Sequence, residues 1–120
     1  MRTAPKPYER KANHERGDAQ LRKKFSDIKR KLEGLKPELM ANFKVKYIGV
    51  FGSYVRGEEK KGSDLDVLVE FEDSAKLSLL DFVRLENLLS EKLGVKVDLV
   101  EKSTLKPRIG KRILEEVVTI

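Results

Sequence analysis

Two short apolar segments with the pattern of β-strands constrain the fold of this chain more than any other feature. Residues 47–51 (YIGVF) are aromatic and β-branched, which predicts a buried strand that ends at Gly52. Residues 65–71 (LDVLVEF) alternate apolar and acidic positions for most of their length. Because successive residues of a strand point to opposite faces, this second strand is predicted to have two distinguishable faces.

Helical periodicity precedes these strands. Apolar residues recur every three or four positions and predict an amphipathic helix. The residues of this stripe are Leu21, Phe25, Ile28, Leu32 and Leu35. Gly34 and Pro37 predict an interruption, and a short second helix is expected to begin near Pro37 and carry the apolar residues at positions 39, 40 and 43. Both helices are expected to cover a sheet.

The second half of the chain continues the alternation of helices and strands. A helix is predicted from Leu79 to Leu93, with a capping arrangement of Ser78 and Asp81 and a stop at Gly94. Residues 95–100 alternate as a third strand, and residues 109–118 predict a C-terminal helix that frays into an extended end. The fold class predicted from this order is α+β, in two layers.

Length and composition favour one domain. The 120 residues fit a single core, and a hydrophobic content of 39% against 38% charged residues indicates a highly charged chain that still folds. Residues 1–18 contain two prolines and scattered apolar groups, so they predict a flexible basic tail before a domain spanning residues 19–120. The chain contains no cysteine, no signal-peptide pattern and no run of apolar residues that would span a membrane, so we expect a cytoplasmic protein.

The positive charge is concentrated in the N-terminal part of the chain. Residues 1–46 contain 14 Lys and Arg against 6 Asp and Glu, a net charge of +8, whereas residues 47–120 contain 12 against 14, a net charge of −2. A basic arm of this kind is more typical of a hydrated surface than of a nucleic-acid site, although it could dock RNA or an acidic partner. This basic arm does not indicate which reaction the protein catalyses.

Acidic residues at the predicted strands indicate a metal site. Asp64 and Asp66 are two apart and can present both carboxylates on one face of the second strand, and Asp98 lies in the third strand. Mg²⁺ prefers oxygen ligands and is usually completed by substrate phosphates, so two or three carboxylates suffice. Asp98 could also accept the proton of an attacking hydroxyl group. Asp64 or Asp66 taken singly is more typical of a turn or a helix cap, and a carboxylate facing water is the alternative role for Asp98.

The turn after the first strand predicts a phosphate site. Gly52 allows a ligand to approach the backbone closely, and the helix that follows begins with unpaired N–H groups. Ser53 adds a hydroxyl donor, and Arg56, three residues later, has a guanidinium group suited to phosphate oxygens. Gly57 is predicted to end the turn. A structural salt bridge is the alternative role for Arg56.

These residues together resemble the signature of the DNA polymerase beta-like nucleotidyltransferase superfamily. Gly52-Ser53-x-x-Arg56-Gly57 is followed by Asp64-x-Asp66, with ten residues between Ser53 and Asp64. The chain from about Leu32 to its end is most similar to the minimal nucleotidyltransferases of bacteria and archaea. The resemblance implies a mixed three-stranded sheet flanked by helices, ATP as substrate with Mg²⁺, Asp64 and Asp66 as the metal pair, and Asp98 as the third carboxylate.

The resemblance also implies a protein partner. Minimal nucleotidyltransferases act as antitoxins that add AMP to a tyrosine of a small helical HEPN toxin, and this chain has no predicted extra domain to hold another acceptor. A non-catalytic binding antitoxin, or nucleotidyl transfer to RNA or a small molecule, are the alternatives. The chain itself is not the HEPN ribonuclease, because three residues separate Arg10 from His14 where that family has four to six. No role is predicted for His14.

Overall fold

A computed structural model describes the backbone of residues 10–120 and the side chains of residues 24–120. The first helix, α1, runs from Arg10 to Phe43. Within the described side chains, the predicted apolar stripe is confirmed, because Ile28 and Leu32 are buried and Phe25 and Leu35 pack against the same core. Leu21 was also predicted to belong to this stripe, but its side chain lies outside the described residues.

The predicted break in α1 is wrong. The helix continues without interruption through Gly34 and Pro37. Proline in a helix interior removes one backbone hydrogen bond and crowds the preceding turn. Here Leu32 and Leu39 are fully buried on either side of Pro37, so tertiary packing holds both halves of the helix in place.

The predicted tail overlaps the start of this helix. α1 begins at Arg10, so the boundary predicted at residue 18 does not coincide with the beginning of regular structure. Residues 1–9 lie outside the described part of the chain, as do the side chains of residues 10–23, and a separate basic tail stays a prediction.

Four strands form one mixed sheet in the order β3-β2-β1-β4. They are β1 (Val45–Phe51), β2 (Leu65–Phe71), β3 (Val97–Glu101) and β4 (Val118–Thr119). β2 pairs antiparallel with β1 and parallel with β3. The α+β class and the mixed sheet are confirmed, but the sheet has four strands rather than three. The end of the chain, which was expected to fray, pairs with β1 at Gly49 and Val50.

Three further α-helices connect the strands. They are α2 (Ser53–Arg56), α3 (Leu79–Leu93) and α4 (Pro107–Glu116), and a 3₁₀ turn follows β3 at Lys102–Thr104. The predicted start and stop of α3 are confirmed: Ser78 and Asp81 form a capping box, and Gly94 closes the helix in the left-handed conformation. None of the helices in the described part of the chain combines the length and apolar character that crossing a bilayer requires.

The core lies between one face of the sheet and the helices α1 and α3, which also contact each other. Leu65, Val67 and Val69 are fully buried on this face of β2. The outer edge of β3 is closed by α3, because Ser90 Oγ accepts a hydrogen bond from Val97 N at 3.0 Å and Glu86 Oε2 accepts one from Leu99 N at 2.9 Å. Side chains that satisfy an edge strand protect it from pairing with other chains.

Candidate active site

The three predicted aspartates meet at one end of the sheet. Phe51 on β1 is the register partner of Asp66 on β2, and Asp66 is the register partner of Asp98 on β3. These three residues therefore form one row across three neighbouring strands, with side chains on the face opposite the core. Asp64 precedes Asp66 by two residues and shares its side of the strand. The structure thus brings together the three carboxylates that the sequence singles out.

Asp66 is the most perturbed of these carboxyl groups. Partial burial, followed by the negative charges of Asp98 and Asp64, raises the pKa of Asp66 from about 3.8 to about 6. Burial and neighbouring negative charge both disfavour the ionised form of a carboxyl group. A bound cation would favour the ionised carboxylate and so oppose this rise in pKa. The electrostatics of the row therefore fit a positively charged ligand.

Gly52 places the turn after β1 directly against this row. Its φ of 85° lies in the left-handed region that glycine adopts readily. A side chain added at this position would collide with Asp66 Oδ2. Conformation and space together require glycine here, which explains why the backbone can approach the carboxylates so closely.

The short helix α2 begins at this turn, as predicted. The N–H groups of Val55 and Arg56 donate to the Gly52 carbonyl at 3.0 and 3.2 Å, and Gly57 ends the helix in the left-handed conformation. Ser53 is the first residue of α2 and is partly buried. The turn therefore places Gly52 against Asp66 and begins α2 there, so Ser53 and the first N–H groups of the helix lie at the end of the sheet where a phosphate group would need donors.

Glu116, at the end of α4, is a residue of this site that the sequence interpretation missed. Its carboxylate accepts a hydrogen bond from Gly52 N at 2.7 Å and another from Arg56 Nη1 at 2.6 Å. Burial raises the pKa of Glu116, but the hydrogen bonds from Arg56 and Gly52 outweigh this effect and hold the pKa below its usual value. A signal was present in the sequence: a carboxylate in the last turn of a helix opposes the helix dipole and calls for a cationic partner.

Arg56 is held by two carboxylates. Its Nε donates to Glu58 at 2.8 Å, in addition to the contact with Glu116. The hydrogen bonds to Glu58 and then Glu116 raise the pKa of Arg56, so the group stays charged. The structural salt bridge considered for Arg56 is therefore present. Its predicted contact with phosphate requires that the guanidinium group exchange one of these carboxylates for a phosphate oxygen.

The metal predicted at this site needs more than protein ligands. Within residues 24–120, no three acidic, histidine or cysteine side chains come close enough to hold a metal ion by themselves. Mg²⁺ commonly binds through one or two carboxylates plus substrate phosphates and water. The chemistry of the donor set, three aspartates beside a phosphate-type turn, fits a cation that arrives with a nucleotide.

Comparison with known proteins decides what kind of site this is. The family described as nucleotidyltransferase domain matches residues 32–120, a range that includes all six predicted site residues. The protein adenylyltransferase MntA of Thermococcus cleftensis is 52% identical over 96 residues, which cover 80% of this chain and 95% of the relative. This chain belongs to the minimal nucleotidyltransferase family. The resemblance expected from about Leu32 onward is confirmed.

Solved structures agree with this nucleotidyltransferase fold. A structure assigned to the minimal nucleotidyltransferases is 35% identical, with a TM-score of 0.61, and the match covers 86% of this chain and 95% of that one. A toxin–antitoxin structure with AMP-PNP is 25% identical, with a TM-score of 0.59, and the match covers 72% of this chain and 70% of that one. This nucleotidyltransferase therefore has relatives in structures of toxin–antitoxin complexes and of nucleotide complexes.

Proposed function

We propose that this nucleotidyltransferase transfers AMP from ATP, with Mg²⁺, to a tyrosine hydroxyl group of a HEPN toxin and thereby acts as its antitoxin. The observation that carries the proposal is the row of aspartates, with Asp66 and Asp98 as register partners and Asp64 beside them, against the glycine turn at Gly52. The names of the relatives, a protein adenylyltransferase and a toxin–antitoxin complex with AMP-PNP, support the donor and the class of acceptor. With ATP as donor, the expected location remains the cytoplasm.

The proposed reaction is an in-line displacement at the α-phosphorus of ATP. The acceptor oxygen forms a bond to this phosphorus, the bond to the bridging oxygen of the β-phosphate breaks, and pyrophosphate leaves. Asp98 is exposed on the edge strand, where it can take the proton of the acceptor hydroxyl group. Asp64 and Asp66 would hold Mg²⁺, which when bound neutralises charge on the phosphates.

The turn after β1 would orient the leaving phosphates. Ser53 and the first N–H groups of α2 are the proposed donors, since donors fixed before the reaction stabilise developing charge without reorganising. Arg56 would assist only after part of its contact with Glu58 or Glu116 is given up. The Glu116 carboxylate accepts the hydrogen bond from Gly52 N in the structure. A phosphate group can therefore bind at that N–H group only after the carboxylate has moved away.

Labelled ATP tests the proposal directly. The purified protein is incubated with ATP labelled in the α-phosphate, Mg²⁺ and the HEPN protein encoded next to it, and the label is followed onto tyrosine by mass spectrometry. We expect label on the HEPN protein only when Mg²⁺ is present, and calorimetry should show that ATP binding also needs Mg²⁺. Protection of the host from the toxin by a variant that forms the complex without labelling it would instead establish a binding antitoxin.

A further inference from the structure

A cavity next to the proposed active site is lined by an acidic side chain that has no hydrogen-bond partner among residues 24–120. The cavity has a volume of about 440 Å³, within the roughly 300–1,000 Å³ of small-molecule sites, and is lined in part by Tyr54, Glu59 and Ser63. Ser63 immediately precedes Asp64, and Tyr54 immediately follows Ser53. The cavity therefore adjoins the loop that ends at Asp64 and the short helix that follows the glycine turn.

Glu59 is the unusual residue of this cavity. Its side chain is only 8% exposed, and neither carboxylate oxygen has a hydrogen-bond partner among the described residues. Burial of a carboxylate without hydrogen bonds is costly, so such groups are normally paired. A ligand that offers two donors to Glu59 would remove this cost.

Lysines form most of the remaining polar lining. They are Lys24, Lys60, Lys61 and Lys96. Within residues 24–120, none of them forms an ion pair with an acidic side chain, and Lys24 Nζ lies 5.6 Å from the centre of the Tyr54 ring. Both Glu59 oxygens are closed off from solvent in this arrangement, so binding of a ligand requires side chains of the lining to move, and lysine side chains are flexible.

This charge pattern selects among the possible ligands. A metal ion or the guanidinium group of a partner would satisfy Glu59 but would be repelled by four ammonium groups. A ligand with two hydrogen-bond donors for Glu59 and negative charge for the lysines fits both parts of the cavity. Nucleotides have this combination, because a base presents donors at its edge and carries phosphate on its sugar.

Among the four RNA bases, guanine matches the carboxylate best. Its N1–H and N2–H groups are adjacent donors, whereas adenine and cytosine each place an acceptor nitrogen next to their amino group. We propose that this cavity is a second nucleotide site, which binds a guanine nucleotide through Glu59 and the surrounding lysines. The site is separate from the proposed ATP site, since the cavity that Glu59 lines includes Tyr54, which belongs to the core, whereas Asp66 and Asp98 lie on the face of the sheet opposite the core.

Calorimetry with GMP and AMP tests this site on the full chain. The titrations are done with AMP-PNP and Mg²⁺ in excess, so that the proposed ATP site is filled. GMP should bind roughly 5- to 150-fold more tightly than AMP, which is the discrimination expected of a bidentate contact to a base. Equal binding of the two nucleotides, or no binding of either, would overturn the proposal.

Glu59→Gln makes the test specific, because it keeps the size of the side chain and replaces one acceptor by a donor. The amide matches adenine, so the preference should reverse towards AMP. The matched control is Glu91→Gln, an exposed position on α3, which should retain the preference for GMP. Unchanged GMP affinity in Glu59→Gln, with its folding confirmed by circular dichroism, would show that Glu59 does not contact the base.

Two sources of guanine can be separated by a third measurement. A short uridine-rich RNA with one guanine is compared with free GMP at several salt concentrations. Tighter binding of the RNA with a steep loss on added salt would identify single-stranded RNA as the source, because neutralised phosphates release counterions. Equal affinities would identify a free nucleotide. Competition by methylguanidine for GMP would contradict the assignment, since it is a cation that the lysines should exclude.

Discussion

The two faces of β2 differ in charge and in burial although they belong to the same seven residues. On one face, Leu65, Val67 and Val69 are fully buried beneath α1 and α3. On the other face, Leu68 is also fully buried, but Asp66 and Glu70 on either side of it are only partly buried. One face therefore stabilises the fold, and the other is available for chemistry.

On the charged face, ionisation of one carboxyl group, that of Asp66, is unfavourable in the folded protein. The pKa of Asp66 is raised to about 6 by burial and by its neighbours Asp98 and Asp64, whereas Glu70, on the same face, lies between Lys46 at 3.7 Å and Lys102 at 3.6 Å. Asp66 has Asp98 and Asp64 as acidic neighbours, and the charge of Arg56 offsets them only in part, so a cation is expected to bind at this end of the face. At the other end of the same face, Glu70 is paired with two lysines and has a structural role.

The largest expected effect concerns the acidic pair. Replacing both residues, Asp64→Asn with Asp66→Asn, should lower AMP transfer more than about 10³-fold, because the groups that would hold the cation are lost. Transfer of label from ATP to the HEPN protein measures this. Glu70→Gln on the same face is the control and should retain activity. Undiminished transfer by the double variant in Mg²⁺ would exclude a metal-dependent mechanism at this pair.

A substitution on the packed face should lower stability and leave AMP transfer nearly unchanged. Leu89 is fully buried on α3 in the same core as Val67. Leu89→Ala should lower the free energy of unfolding by about 2–5 kcal/mol, the range for such core truncations, and leave transfer per folded molecule nearly unchanged. Urea denaturation gives the stability. A loss below about 1 kcal/mol would mean that this face contributes less than its burial indicates.

Ser53→Ala separates catalysis from binding within the site. Loss of one fixed donor at a charged transition state typically costs ~10²–10³ in rate, whereas one small polar side chain at an interface rarely exceeds about 1 kcal/mol. We expect transfer to fall by that factor while association with the HEPN protein is retained, as measured by calorimetry. Ser103→Ala, in the 3₁₀ turn at the other end of β3, is the control. If both serine variants transfer AMP equally well, the phosphate role of Ser53 is wrong.

The smallest effect is a pH-dependent gain in stability. Because the pKa of Asp66 is raised in the folded protein, its ionised form destabilises the fold; this cost is absent below about pH 3.8 and complete above about pH 6. In a chelating buffer, Asp66→Asn should therefore melt at a higher temperature than the unaltered protein at pH 7, and the difference should shrink towards pH 4. A difference that stays constant over this range would contradict the raised pKa.

The sequence predicts those parts of the molecule whose causes are local. The alternation in β2, the capping box of α3 and the spacing of the glycine turn from the aspartates all depend on nearby residues, and the structure has each of them. Pro37 inside α1 and the pairing of β4 with β1 depend instead on packing between distant segments. For Glu116, its position at the end of a helix indicated a need for a cationic partner, but its contact with Gly52, 64 residues earlier, has no local signal.

Glu59 shows a further limit of sequence interpretation. It lies in a charged run, Glu58-Glu59-Lys60-Lys61, that is typical of an exposed loop. Burial of one carboxylate from such a run depends on how the loop folds over Tyr54 and the start of β3, which no local pattern specifies. The proposed guanine site could therefore be found only from the structure.

Measurement of stability and transfer on the same two single variants tests the division between the faces most directly. Asp66→Asn and Leu89→Ala are each examined at pH 7 by urea denaturation and by the rate of AMP transfer per folded molecule. We predict that Asp66→Asn unfolds at the same or a higher urea concentration than the unaltered protein and transfers almost no AMP, whereas Leu89→Ala loses stability and keeps its transfer rate. Normal transfer by folded Asp66→Asn would contradict the account.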